Sequence, residues 1–288
     1  MQSISLLQIS DPHFGTEVPR VVTALKTLSD RLAPSLVVLS GDVSQRATAI
    51  QFRAAGEFLR TLDVPASLIV PGNHDVPLVN LALRAIAPYS RYRRAFGGDL
   101  EPVHDDESLL VIGVNTVMPR WHQQGRVSAT QVERVASRLR QARLSQLRIV
   151  VCHHPVHVIR PEDDKNLLRG SPEAVRQWVQ AGADLILGGH IHLPYCRPLR
   201  QRYPDLVREA WVVQAGTAVS SRIRSGIANS VNCIRTLQTP KGPGCIVERW
   251  DFSDGEGEFR RIASEEVLLD RQSPPAQAWT STSTRAPR

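Results

Sequence analysis

Val70 to Asp75 read VPGNHD: an apolar run closes on a proline and a glycine, and an amide, an imidazole and a carboxylate then stand side by side. Taken alone, the segment fits a Gly-Asn turn followed by two solvated side chains. The same arrangement recurs along the chain, and recurrence is what a turn does not explain. SDPH (10–13) follows the apolar run SISLLQIS, GD (41–42) follows LVVLS, CHHP (152–155) closes LRIVVC, and GGHIH (188–192) follows DLIL. Five apolar runs of strand length therefore end in metal-ligating or proton-transferring residue types, while a sixth, LLVIGVN (109–115), does not.

The runs themselves set the fold class. They are rich in Val, Ile and Leu, as strands covered on both faces tend to be. Between the first two, Val21, Leu25, Leu28 and Leu32 recur at helical spacing, which places them on one helix face. Ser128 with Gln131 opens a capping box ahead of Val132, Val135 and Leu139, and another helix opens at Ser171 with Pro172 at its first position. Strands alternating with helices predict an α/β layered fold. After Leu193 the rhythm changes to strands joined by short turns, at Trp211, Ser230, Cys245 and Glu258, which predicts a second, largely antiparallel sheet. TPKGPG (239–244) reads as a hairpin turn, because its spacing does not fit a phosphate loop. The domain is expected over 1–270, and the polar, proline-bearing 271–288 reads as a disordered tail.

Composition narrows the class further. The 288 residues are 42% hydrophobic and 22% charged, ordinary for a globular protein able to bury its own core. Cys152, Cys196, Cys233 and Cys245 are widely spaced with no C-x-x-C pair, which argues for packed, reduced thiols rather than a zinc knuckle or a disulfide framework. The first residues carry no basic signal-peptide region and no run reaches the roughly 18–20 apolar residues of a membrane span. A cytoplasmic location is the expectation. The net charge of +7 is mostly arginine, in SRYRRAF, ERVASRLRQAR and SSRIRSG; the first two read as solvated helix faces. Nucleic acid is a partner this charge permits without favouring, and no feature specifies an oligomer.

In open α/β sheets, ligands bind outside the carboxyl ends of the strands, so these side chains are expected to converge. In extended chain, residues two apart project to one side, which lets Asp11 act with His13 and His190 with His192. Carboxylate, imidazole and amide oxygen without thiolate suit divalent manganese, iron, zinc or cobalt. Asp11, His13, Asp42, Asn73, His153, His190 and His192 are too many for one tetrahedral ion and match two ions with open water positions. Asp42, with two oxygens, can bridge them.

D-x-H, G-D, G-N-H-D, H-H-P and G-H-x-H, in this order over residues 3–194, resemble the calcineurin-like metallophosphoesterase family, and within it the bacterial cyclic-AMP phosphodiesterase and glycerophosphodiesterase types. The resemblance implies a four-layer αββα sandwich of two mixed sheets flanked by helices, with a dinuclear site between the sheets. It would put Asp11, His13, Asp42 and His192 on one metal and Asp42, Asn73, His153 and His190 on the other, with manganese or iron preferred over zinc or cobalt. His74 would be the unligated histidine facing substrate.

Two divalent ions less two carboxylates and a hydroxide leave a positive centre suited to a small phosphoester. A metal-bound water titrates near pH ~7 rather than ~15.7, which provides a nucleophile at neutral pH. His74 is assigned to stabilising the transition state or protonating the leaving oxygen, with Asp75 holding its ring. The expected activity is hydrolysis of a small phosphodiester by a metal-bridging hydroxide; a phosphomonoesterase, a nuclease and a non-catalytic scaffold are the alternatives. His154 is expected at the pocket edge rather than on a metal, His104, His122 and His157 in loops with His122 closest to substrate, and Cys152 in the strand core. Arg222 and Arg224 read as solvated loop arginines at least as well as phosphate or base contacts, and stay outside the candidate site.

Overall fold

Residues 5–239 and 242–271 are described by a computed structural model. The hairpin turn expected at Pro240 and Lys241 lies outside the described residues, as does the expected tail 271–288 apart from Arg271. The first sheet contains β1 (Ser5–Ile9), β2 (Leu36–Ser40), β3 (Ala66–Val70), β12 (Ser230–Thr239), β13 (Gly242–Ser253) and β14 (Glu258–Leu268), in the order β14-β13-β12-β1-β2-β3. The second contains β4 (Val103–Asp105), β5 (Leu109–Val114), β8 (Leu147–Cys152), β9 (Leu185–Gly188), β10 (Tyr195–Pro198) and β11 (Trp211–Gln214), in the order β10-β11-β9-β8-β5-β4. A small ribbon, β6 (Val117–Met118) with β7 (Trp121–Gly125), stands apart. The helices are α1 (Pro19–Leu32), α2 (Ala49–Thr61), α3 (Leu81–Ile86), α4 (Ser90–Phe96), α5 (Ala129–Arg140) and α6 (Ser171–Ala181).

The period-two alternation of the strands builds the layers. Leu7 and Ile9 of β1 and Val37 and Leu39 of β2 face Leu25, Leu28, Phe52 and Phe58 of α1 and α2, while Leu6, Leu36 and Val38 turn the other way. There they meet Leu109, Val111, Ile149, Val151, Leu185 and Leu187 of the second sheet. The outward residues of that sheet, Leu110, Ile112, Val150 and Ile186, pack on Val132, Val135, Leu139, Val175 and Trp178 of α5 and α6. Strands that bury both faces need apolar residues at every position, which is why these runs lack polar alternation. Full burial of one such side chain is worth about 1.5–3 kcal/mol, and two buried faces per strand make this the αββα sandwich.

Two expectations are corrected in detail. The strands after Leu193 do not make a separate antiparallel sheet: β12 pairs antiparallel with β1 and extends the first sheet through β13 and β14, while β11 enters the second sheet parallel to β9. Short turns dictate antiparallel neighbours but not which open edge receives them. The helix at Ser171 begins there with Gly170 as its N-cap, at φ 88°, so Pro172 occupies the second helical position. The capping box at Ser128 and Gln131 forms as expected. All four cysteines are free, three of them buried.

Candidate metal centre

The strand ends do converge, but not by extended geometry. Asp11 (φ 50°), His13 (φ 44°), Asp42 (φ 49°), His190 (φ 71°) and His192 (φ 53°) all adopt the left-handed backbone region. For a residue with a Cβ this conformation costs on the order of 1–3 kcal/mol. Asp11 and His13 thus reach a common cleft through tight turns beyond β1, and His190 and His192 through turns beyond β9. The close approach leaves no room for side chains on the supporting glycines: a Cβ on Gly72 would overlap the backbone nitrogen and carboxylate of Asp42, and one on Gly41 (φ 99°) would enter the His153 ring.

The donor atoms fall into two groups that share Asp42. His13 Nε2 lies 3.9 Å from Asp11 Oδ1 and 3.7 Å from Asp42 Oδ2, and His192 Nε2 lies 3.3 Å from Asp11 Oδ1. On the other side, His153 Nε2 is 3.4 Å from Asp42 Oδ1 and 3.0 Å from Asn73 Oδ1, and His190 Nδ1 is 2.9 Å from the same amide oxygen. Asp11 with His13 and His192, and Asp42 with His153 and His190, each bring one ligand atom per residue within 4.8 Å of one another. One oxygen of Asp42 faces each group.

A cation fits the hydrogen-bond pattern. His153 Nδ1 is 2.9 Å from Ser40 O and His192 Nδ1 is 2.7 Å from Arg222 O. A carbonyl only accepts, so both Nδ1 atoms carry hydrogen and each ring turns its Nε2 inward, as a lone pair whenever the ring is neutral. Those inward nitrogens face Asn73 Oδ1 for His153 and Asp11 Oδ1 for His192, and His13 Nε2 lies 3.1 Å from His192 Nε2. Acceptors gathered on acceptors repel unless positive charge lies among them, and backbone carbonyls that fix the outer ring nitrogen are the usual support for a metal-ligating histidine.

The electrostatics point the same way. Burial would raise the Asp11 carboxyl, but the neighbouring His192 outweighs it and holds Asp11 at about 2. Asp42 is likewise held well below the carboxylate range, burial being overcome by His153 and His74. Burial would depress His153, yet the Asp42 carboxylate lifts it to about 9, and Asp11 raises His192 against the same penalty. For His13 and His190 burial dominates and pushes each imidazole down to about 3. The acids stay ionised and draw positive charge toward the centre.

The cleft over this centre, about 640 Å³, is lined by Asp42, Asn73, His74, His190 and His192 with Gln123, Lys165 and Arg222 among its walls. A family model described as calcineurin-like phosphoesterase matches residues 4–194. The chain belongs to the calcineurin-like phosphoesterase family. Membership assigns the chemistry at the level of a metal-dependent phosphoesterase reaction, on a candidate dinuclear site. A probable cyclic nucleotide phosphodiesterase of Synechococcus sp. is 25% identical over 206 residues, 66% of this chain and 74% of that protein. In fold, the chain resembles a purple acid phosphatase from yellow lupin, Lupinus luteus (TM-score 0.70, 12% identity), with 97% of this chain covered. It spans 57% of the lupin chain. A dimetal phosphatase from Danio rerio superposes with a TM-score of 0.59 at 13% identity, covering 92% of this chain and 99% of that one. At such identities the two structures show the fold alone.

Within this phosphoesterase fold Asp75 does not hold the His74 ring. Its carboxylate is buried and accepts from the backbone N–H of Val43 (3.0 Å), Ser44 (2.8 Å) and Gly72 (2.9 Å) and from Ser44 Oγ (2.9 Å). Burial and then the Asp42 charge push Asp75 up to about 7 against those donors. Its place is a clamp between the loops after β2 and β3, the two loops that carry Asp42, Asn73 and His74. The His74 ring is instead set by Gln45 O, 2.9 Å from Nδ1, and by Arg222 Nη1, 3.1 Å from Nε2.

Among the remaining histidines, His154 is fully buried, with Nδ1 2.8 Å from Thr116 Oγ1 and its ring centroid 4.6 Å from that of His190. It backs the His190 ring. His157 is buried away from the centre and His104 pairs with Asp106 at 2.8 Å; the side chain of His122 lies outside the described residues. Cys152 packs in the core beside α5 and α6. Arg224 is tied to Asp163 at 2.9 Å, whereas Arg222 stands in the cleft. Sequence reasoning missed that distinction, since two arginines one residue apart in a loop carry no signal of which one meets an acid. Among the described residues, no helix is long and apolar enough to cross a membrane.

Proposed function

We propose that the protein hydrolyses small phosphodiesters of the cyclic nucleotide or glycerophosphodiester class. The observation that carries the reading is the pair of donor groups that meet at Asp42, with imidazole nitrogens turned inward on carboxylate and amide oxygens. Asp11, His13, Asp42 and His192 would hold one divalent ion and Asp42, Asn73, His153 and His190 the other, with manganese or iron preferred by the oxygen and imidazole donors. Two ions bound there would activate water and neutralise phosphoryl oxygens, the chemistry expected of paired metals in an in-line displacement.

The chain's own residues then do the rest. Ser40 O and Arg222 O fix the tautomers of His153 and His192, which keeps their inward nitrogens available as ligands. With Nδ1 donating to Gln45 O and Nε2 accepting from Arg222 Nη1, His74 lines the cleft, and a protonated ring would give its Nε2 proton to the leaving oxygen in place of that bond. Asp75 keeps His74 and Asp42 in register by holding both loops. The likeness to a probable cyclic nucleotide phosphodiesterase supports a diester substrate. The test compares bis(4-nitrophenyl) phosphate with 4-nitrophenyl phosphate on manganese-loaded protein. Higher kcat/KM on the diester is expected, and faster monoester turnover would contradict the assignment.

A further inference from the structure

We propose that Arg222 is the chain's own receptor for the substrate's phosphoryl charge, taking phosphate oxygens on the Nε and Nη2 edge of its guanidinium while Nη1 braces His74. The proposal rests on the phosphoesterase reading above and deepens it by naming the residue that binds the phosphoryl group. The first observation is charge left unspent. Arg224, two residues on, is met by Asp163 at 2.9 Å and Glu162 at 3.6 Å, but no carboxylate lies within ion-pair distance of Arg222 among the described residues. A guanidinium beside a ligand cleft with no acid of its own is matched to an anionic ligand.

The second observation is how the donors are used. Nη1 gives its hydrogens to Gln45 Oε1 at 2.8 Å and to His74 Nε2 at 3.1 Å. The other protein bonds of this residue are made by its backbone: its N–H donates to Ser220 Oγ at 3.0 Å, and its carbonyl accepts from His192 at 2.7 Å and from Thr217 Oγ1 at 3.4 Å. Nε and Nη2 find no acceptor among the described residues, and Arg222 is one of the residues lining the cleft that contains Asp42, Asn73 and His190. Their parallel N–H bonds match two free oxygens of a tetrahedral phosphate, a fit that an ammonium point charge does not reproduce.

The third observation is that the position is built. Ser220 Oγ meets Thr16 Oγ1 at 2.8 Å, Ser221 N–H donates to Thr16 O at 2.8 Å, and Asn229 Nδ2 donates to Ser220 O at 2.8 Å. The loop bearing Arg222 is thereby sutured to the loop that follows Asp11 and His13. One residue consequently orients a candidate ligand through its carbonyl and the candidate acid through Nη1, and it presents a free fork to the ligand. Side-chain replacement leaves the carbonyl in place, so the two duties can be separated.

The experiment titrates inorganic phosphate into manganese-loaded protein by calorimetry and follows bis(4-nitrophenyl) phosphate hydrolysis alongside. Arg222→Ala is expected to weaken phosphate binding and raise KM by roughly 10- to 100-fold, as loss of a charge-assisted hydrogen-bond pair implies, with manganese content equal to wild type. Arg222→Lys should recover only part of the loss, and free guanidinium ion should partly rescue the alanine variant. Wild-type phosphate affinity in Arg222→Ala, with wild-type enzyme active, would overturn the inference and leave the phosphoesterase reading standing. Loss of manganese in Arg222→Ala would place the effect on His192 and equally overturn it. Manganese-loaded wild type that hydrolyses no phosphoester would instead overturn the reading beneath it.

Discussion

Strands β8 and β9 carry a buried charged cluster at each end, and the two are built on opposite logic. Just before β9, Asp184 is met by Arg208 Nη2 at 2.9 Å, Arg271 Nη2 at 2.8 Å and the backbone N–H of Arg148 at 2.9 Å. Donors face acceptors there, and the positive charge is part of the chain. Beyond the other ends of the same strands, His153 and His190 turn ring nitrogens onto Asn73 Oδ1, and two carboxylates share the space with no arginine paired to either among the described residues. Buried charge is tolerated only when it is compensated. One end is compensated by guanidinium groups and the other by imidazoles that are also candidate metal ligands, so burial of charge alone does not mark a functional site; the residue types that meet the charge do.

The sharpest way to break this comparison is at Asp42. Asp42→Ala removes the group shared by both donor sets, and we expect metal content to collapse and kcat to fall by at least ~10³-fold, equivalent to about 4 kcal/mol of barrier. Elemental analysis with turnover measurements checks this, and retention of two ions would show that Asp42 bridges nothing. The matching change at the other end, Asp184→Asn, strands buried guanidinium groups and should cost about 3–5 kcal/mol of stability in denaturant unfolding, with metal per folded chain unchanged. If Asp184→Asn lost metal while remaining folded, the two ends would not be independent.

Two smaller changes sharpen the contrast. His74→Ala should keep both ions and lose roughly 10²-fold in kcat, the scale of one general acid or base. Away from both clusters, burial and then the positive Arg202 and Arg197 press His157 down to about 4. Its folded pKa lies below the unfolded value near 6.5, so the neutral ring contributes stability that is present above pH 6.5 and lost as pH falls toward 4. His157→Phe should flatten the acid side of the stability curve of metal-free protein, by at most about 2 kcal/mol near pH 5. An unchanged slope would remove His157 from the acid response.

Much of this was legible in the sequence because strand ends in an α/β sheet are forced to one side, so five short motifs after five apolar runs had to meet. What was not legible is tertiary. Asp75 follows His74, and adjacency suggested a bond between them; its carboxylate goes instead to Val43 and Ser44, which precede it by some thirty positions in the chain. Hairpin rhythm marked β12 to β14 as antiparallel, yet only packing decides that β12 docks on β1. The left-handed turns at Asp11, His13, Asp42, His190 and His192 left only a weak mark in residue type: Asp and His are among the non-glycine residues that adopt this conformation more readily, but far less often than glycine.

The most direct test is anomalous diffraction from manganese-loaded crystals. Two peaks astride Asp42 are expected, one beside Asp11, His13 and His192 and the other beside Asn73, His153 and His190, each at full occupancy. A single peak, or none within reach of Asp42, would contradict the account.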